Sequence, residues 1–239
     1  MKVDKFIPYL ISLPVLLFFS ILMVNALTPY GSATSPDSLS YLDVAGNLKM
    51  GRGLSASDFS LDKAGTSAVV PQRTWPPAYP LALSGFIENS RDVRGAANLS
   101  KIFLFATSIG IFLLLSTQVY WAIALGGSIL ISLSLPMVLV YTYAWSETLF
   151  IPLLITTVYS AIGYTSDSLS PSRRFGWMAL LLSGLILLAY TRYIGIALVL
   201  LIPAVFILSR KDKWDWVLFP QPSLPMPWRW GIGFTATIN

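Results

Sequence analysis

Residues 102–146, IFLFATSIGIFLLLSTQVYWAIALGGSILISLSLPMVLVYTYAWS, run for 45 positions without one Asp, Glu, Lys or Arg. A globular domain carries roughly one charged residue in four, so no water-facing surface can be built from such a stretch. At about 1.5 Å per residue, a helix of roughly 20 residues crosses a hydrocarbon core of about 30 Å. The stretch therefore predicts two spans, 102–117 and 121–140, joined by a hairpin near Gln118 and Tyr120. Further uncharged intervals at 6–36, 148–166, 175–191 and 193–209 predict spans at 6–27, 147–164, 176–190 and 193–208. The expected fold is an all-α integral membrane protein of six transmembrane helices, with a long first extracytoplasmic loop at 28–101. Composition agrees: of 239 residues, 55% are hydrophobic and 11% charged.

The net charge is +5. Its basic residues sit in short segments between spans, so the charge reads as topology and argues against a nucleic-acid partner. Lys2, Lys5, Arg173, Arg174, Arg210, Lys211 and Lys213 fall on one side if six spans alternate, and that side is the cytoplasm. Lys2 and Lys5 also suit a signal peptide, but the apolar run behind them exceeds the roughly 7–15 residues of a signal core. The outer loop carries seven basic and six acidic residues, and loops beyond about 60 residues translocate largely regardless of charge. Arg91, Arg94 and Lys101, beside the second span, run against the rule.

Within the loop, Ser35-Pro36-Asp37 followed by Leu39, Tyr41, Leu42, Ala45 and Leu48 predicts a capped helix with proline in its first turn and an apolar stripe, ended by Gly51 and Gly53. We expect it to lie along the outer membrane surface, with Asp37 at the water boundary. The apolar run 76–87 has 12 residues, too few to span, and is read as an interfacial or re-entrant helix. Residues 1–209 form the membrane domain; 210–239, with four prolines between 220 and 230, are read as an irregular cytoplasmic tail of a truncated chain.

There are no cysteines and no histidines, which removes disulfides, thiolate chemistry, Cys/His zinc sites and histidine acid–base catalysis. Proton transfer falls to Asp, Glu, Tyr, Lys or water. The predicted topology brings Asp37, Glu147 and Arg192 to the same outer face. Ionisable groups near hydrocarbon usually face a bundle interior or a watery cavity. Each also has a plainer role: Asp37 and Glu147 as carboxylates at helix starts, and Arg192 snorkelling to headgroups. Two readings stand beside any activity at that face: a transporter or lipid flippase, and a non-catalytic membrane scaffold or fragment. The long outer loop and the absence of an internal repeat argue against the transporter.

The string Pro36-Asp37-Ser38-Leu39-Ser40-Tyr41-Leu42-Asp43-Val44-Ala45-Gly46-Asn47-Leu48, then Gly51-Arg52-Gly53 and Trp75-Pro76-Pro77-Ala78-Tyr79-Pro80-Leu81, resembles the first outer loop of GT-C membrane glycosyltransferases. The nearest group is the dolichyl-phosphate-mannose mannosyltransferase-like one, with family 39 and the aminoarabinose-transferase-like enzymes. Trp145-Ser146-Glu147-Thr148-Leu149-Phe150 is similar to that group's Ser-Glu at the outer start of a span, and Tyr190-Thr191-Arg192-Tyr193-Ile194-Gly195 to its Thr-Arg-Tyr-x-Gly break. The resemblance covers roughly 8–208, the N-terminal part of such enzymes.

It implies transfer of a sugar from a polyisoprenyl-phosphate donor to a lipid, glycan or protein acceptor on the extracytoplasmic face, with inversion. Asp37 matches the family's catalytic base, the residue that takes the proton of the attacking hydroxyl. The leaving phosphate calls for a cation: Arg192 first, since guanidinium pairs bidentately with phosphate, and Arg73 second. Glu147 is expected to bind a sugar hydroxyl, hold Arg192, or join Asp37 around a divalent metal ion. Tyr41, four residues after Asp37, and Tyr193, beside Arg192, are expected to stack on sugar or hydrogen-bond to it, although outer-face tyrosines also serve in the aromatic belt. Whether a metal takes part is left open.

Overall fold

The computed structural model describes residues 7–57, 69–165 and 170–200. Lys2 and Lys5, the second half of the predicted sixth span (201–208) and the tail at 210–239 lie outside the described residues. In chain order the elements are α1 (Ile7–Leu27), α2 (Pro36–Lys49), β1 (Ser55–Ser57), β2 (Val69–Pro71), α3 (Ala78–Ser84), α4 (Val93–Ser116), α5 (Trp121–Ser132), α6 (Leu135–Thr142), α7 (Glu147–Tyr164), α8 (Pro171–Thr191) and α9 (Ile194–Ala197), followed by a 3-10 turn at Leu198–Leu200.

Four of these, α1, α4, α7 and α8, are long and apolar enough to cross a membrane. The pair α5 and α6 counts as a fifth only if taken together, because the two are bent by 63°. Leu10, Leu130 and Leu135, on these helices, are each at least 70% exposed, as side chains facing hydrocarbon would be. The chain is therefore a mostly helical, membrane-embedded protein with four to five such helices among the described residues.

The bend is a correction to the single span expected at 121–140. Pro136, in the first turn of α6, has no N–H to give, and its ring would clash with the carbonyl four residues back in a continuous helix. Ser134 accordingly takes extended angles, φ −61° and ψ 146°. A second correction concerns α4, which begins at Val93 and not near residue 102. Arg94, Asn98 and Lys101 share one outward face of its first turns, while Gly95, Ala96, Ala97, Leu99 and Ser100 are buried. Likewise α8 starts at Pro171, so Arg173 and Arg174 belong to its first turn, with Ser170 as cap.

Among the spans, α1 lies against α4 and α5, α4 against α7, and α7 against α8. Buried hydroxyls bond within this packing: Ser128 Oγ donates to the Ser108 carbonyl at 2.7 Å, and Ser108 and Ser132 share a bond of 3.1 Å.

The segment between α1 and α4 folds onto the ends of these helices. Ser35 caps α2, its Oγ accepting from Ser38 N at 3.3 Å. The other end closes as a Schellman motif, with Arg52 N donating to Asn47 O and Gly51 N to Leu48 O. Gly51 has φ +74°, which a residue without Cβ adopts freely. The apolar stripe of α2 meets protein: Tyr41, Leu42 and Ala45 are buried with Tyr79, Leu83, Ile87, Ala96, Leu99 and Ala144. The run 76–87 holds only the short helix α3, packed on α2 and near α8. An antiparallel pair, β1 with β2, adds a strand element to the all-α expectation, and Asp43 fastens it to α2 by accepting from Ser57 N and Ser57 Oγ, each at 2.6 Å.

Candidate functional site

Three chain breaks build the site. The first lies between α6 and α7, where Ala33 pairs with the extended segment at Tyr143: Ala33 N donates to Thr142 O at 2.8 Å and Ala144 N to Ala33 O at 3.2 Å. Trp145, stacked on Tyr143, then donates its indole N–H to Ser35 Oγ at 2.8 Å. This ties the cap of α2 to the start of α7. Asp37 stands two residues beyond one end of that bond and Glu147 two residues beyond the other.

The second break ends α8. Arg192 leaves the helix in extended conformation, φ −150° and ψ 144°, and α9 turns back against α8. Glycine at 195 permits that return: a Cβ there would collide with the Leu188 carbonyl and stand 2.6 Å from Ala189 N. The third is the turn at Trp75 and Pro76, ahead of α3.

These breaks place charges and rings around one opening. Arg192 Nη1 pairs with Glu147 Oε1; the side chains are 36% and 34% exposed, so the pair sits at a water boundary. The Ser146 hydroxyl lies within reach of both, 3.4 Å from Glu147 Oε2 and 3.5 Å from Arg192 Nη1. Tyr41 OH donates to Ser146 Oγ at 3.1 Å. The Tyr41 ring lies 5.6 Å from Trp75 and 5.1 Å from Tyr79, the latter edge-on. Tyr193 OH reaches the Arg73 carbonyl at 3.5 Å. Together Tyr41, Trp75, Pro76, Thr191, Arg192, Tyr193 and Ile194 line a cavity of about 150 Å³.

Burial pushes the Tyr41 phenol above its ordinary value; the Ser146 contact pulls it down, Glu147 pushes it up, Arg192 pulls it down and Asp37 pushes it up. All three charges thus act on one buried hydroxyl. Burial also raises Tyr79, with the nearby Thr148 hydroxyl pulling it back, although among the described residues the Tyr79 hydroxyl has no partner in full hydrogen-bonding geometry.

Of the residues singled out from sequence, Glu147, Arg192, Tyr41 and Tyr193 meet at this opening. Asp37 lies exposed in the first turn of α2, one turn before Tyr41, without a hydrogen bond or ion pair among the described residues. Arg73 reaches the site through its carbonyl, while its exposed side chain has no acidic partner among the described residues. Sequence reasoning passed over two members. Ser146 and Trp75 stand in the sequence only as members of the two motifs; serine beside the one acidic residue of a long apolar region is the available signal for the first.

Among the described residues no three acidic groups gather as a metal site. Comparison with protein-family profiles, curated proteins and solved structures finds no match for this chain.

Proposed function

We propose that the protein transfers a sugar from a polyisoprenyl-phosphate donor to an acceptor hydroxyl at the extracytoplasmic membrane surface, with inversion at the anomeric carbon. The observation that carries this reading is the cavity of about 150 Å³ in which one guanidinium meets aromatic walls at the end of membrane-crossing helices. A lipid-linked sugar phosphate presents the matching chemistry: a ring with apolar faces, an anionic phosphate, and a chain that stays in hydrocarbon.

In the proposed reaction the acceptor oxygen attacks the anomeric carbon as the bond from that carbon to the phosphate oxygen breaks. The electron pair leaves with the phosphate. Arg192 offsets the charge that develops there; Glu147 engages one of its terminal nitrogens, and the remaining N–H groups are available for phosphate oxygens. Asp37 takes the proton of the attacking hydroxyl. Its exposure, and the lack of a partner among the described residues, suit a base that must meet an acceptor arriving from water. Trp75 and Tyr193 supply ring faces on which the sugar rests, while Tyr41, buried behind Trp75, backs the cavity wall. The acceptor is a lipid, a glycan or a protein.

The test is transfer of radiolabelled sugar from a polyprenyl-phosphate monosaccharide by the full chain in lipid vesicles. Loss of a general base costs about 10²–10⁴-fold, so Asp37→Asn should lose transfer by that factor while inserting normally. Turnover by Asp37→Asn at the wild-type rate would remove the assigned base.

A further inference from the structure

Ser146 opens α7, yet its side chain caps nothing: its backbone is helical, φ −62° and ψ −20°, and no amide of the first turn donates to it. A serine at this position ordinarily accepts from an N–H two or three residues on. Here the hydroxyl turns to three side chains from three elements. It accepts from Tyr41 OH at 3.1 Å and Arg192 Nη1 at 3.5 Å, and donates to Glu147 Oε2 at 3.4 Å. A hydroxyl has one proton to give and two lone pairs. The three contacts use all of them, and at 1% exposure no water can stand in.

We propose that Ser146 is the positioning residue of the site: its hydroxyl holds α2, and with it Asp37, at a fixed separation from the Glu147–Arg192 pair. The consequence for catalysis rests on the transferase reading; the coupling itself is a property of the chain. Tyr41 is 3% exposed and among the described residues its hydroxyl bonds only to Ser146, so without that partner a buried donor is orphaned and the ring is released to shift. Asp37 lies one turn earlier on the same helix and follows Tyr41. At the other end the Glu147–Arg192 pair is a third exposed, and one anchored partner is what keeps such a pair from moving between solvent-exposed geometries.

The alternative role for a small buried residue here is to leave room for α2. Ser146→Ala removes the hydroxyl, and Ser146→Cys keeps nearly the volume while replacing a strong donor and acceptor with a weak one. Both are compared with Tyr41→Phe and with Ser146→Ala/Tyr41→Phe, in the full chain in lipid vesicles with the polyprenyl-phosphate monosaccharide donor. A misplacement of about 1 Å costs roughly 10²-fold, so both serine variants should lose 10–100-fold in kcat, by about that reasoning, with KM little changed. In the Ser146→Ala background Tyr41→Phe should add no further loss in kcat and no further drop in Tm. Wild-type turnover by Ser146→Cys would overturn the proposal in favour of volume alone, as would kcat losses that multiply or Tm losses that add. Should the wild-type chain transfer no sugar, the Tm cycle still decides: non-additive losses leave the hydroxyl hub standing and count against the transferase reading, and additive losses overturn the hub.

Discussion

Gly195→Ala puts one methyl where α9 folds back on α8. Its Cβ would fall on the Leu188 carbonyl and 2.6 Å from Ala189 N, and both obstacles are backbone, which no rotamer change can clear. Carbon and amide nitrogen need roughly 3.5 Å or more for an unstrained contact, so α9 must back away by about 1 Å. Overpacking of this kind costs about 1–3 kcal/mol, which at about 2–4 °C per kcal/mol for a chain of this size lowers Tm by about 2–12 °C. The same displacement pulls on Arg192, three residues earlier, whose backbone carbonyl accepts from Gly195 N at 2.8 Å. A shift of about 1 Å at the guanidinium should then reduce transfer roughly 10²-fold. Gly126→Ala is the control, since nothing stands within 4 Å of its Cβ and the site is an exposed helix position. It should leave Tm unchanged or raise it, a glycine in a helix being about 1 kcal/mol worse than alanine. Thermal unfolding of the purified variants in detergent, followed by the vesicle transfer assay, checks both. If Gly195→Ala melts with Gly126→Ala and the wild type, the close return of α9, and the placement of Arg192 derived from it, is refuted.

Three other substitutions separate stability from chemistry. Arg192→Gln breaks a pair one third exposed, so the stability loss should stay within about 1 kcal/mol, whereas removal of a charge that meets the leaving group should cost about 10²–10³-fold in kcat; equal small effects on both would deny Arg192 a part in the reaction. Asp43→Asn weakens the two bonds from Ser57, each a contact to a carboxylate, and should expose the β1–β2 segment to limited proteolysis while the helical circular dichroism is unchanged; unaltered cleavage would deny that anchor. Tyr79→Phe removes a fully buried hydroxyl that lacks a partner, so Tm should hold or rise, an unpaired buried polar group costing about 1–3 kcal/mol; a drop of several degrees would reveal a bond at that hydroxyl.

Much of the helical layout was legible because the uncharged intervals are long. The apolar run behind Phe6 becomes α1, and the run opening at Glu147 becomes α7 over Glu147–Tyr164. The cap of α2 was legible for a different reason: Ser35, Pro36 and Gly51 carry local backbone preferences that survive any tertiary context. Hydropathy could not reveal the break at Ser134, since apolar residues flank it on both sides and only Pro136 marks it. Nor could it reveal the early start of α4. Arg94 and Lys101 interrupt a hydropathy profile but not a helix, because they share its outward face while the small residues between them pack inward. The stripe on α2 was legible as apolar, but what it packs against was not: a helix facing lipid and one facing Tyr79 and Leu83 have the same periodicity. The site divides in the same way. Glu147 and Arg192 stood out as isolated charges in apolar sequence, whereas Ser146 is a common residue whose importance comes from three partners far apart in the chain.

The proposed placement of Asp37 on the extracytoplasmic side with Glu147 and Arg192 is the premise of the transferase reading, and a chain without cysteines allows it to be measured against a clean background. Asp37→Cys in intact cells, treated with a membrane-impermeant maleimide before or after permeabilisation, reads that placement directly. Full modification is expected before permeabilisation. Labelling of residue 37 only after the cytoplasmic side is opened would contradict it.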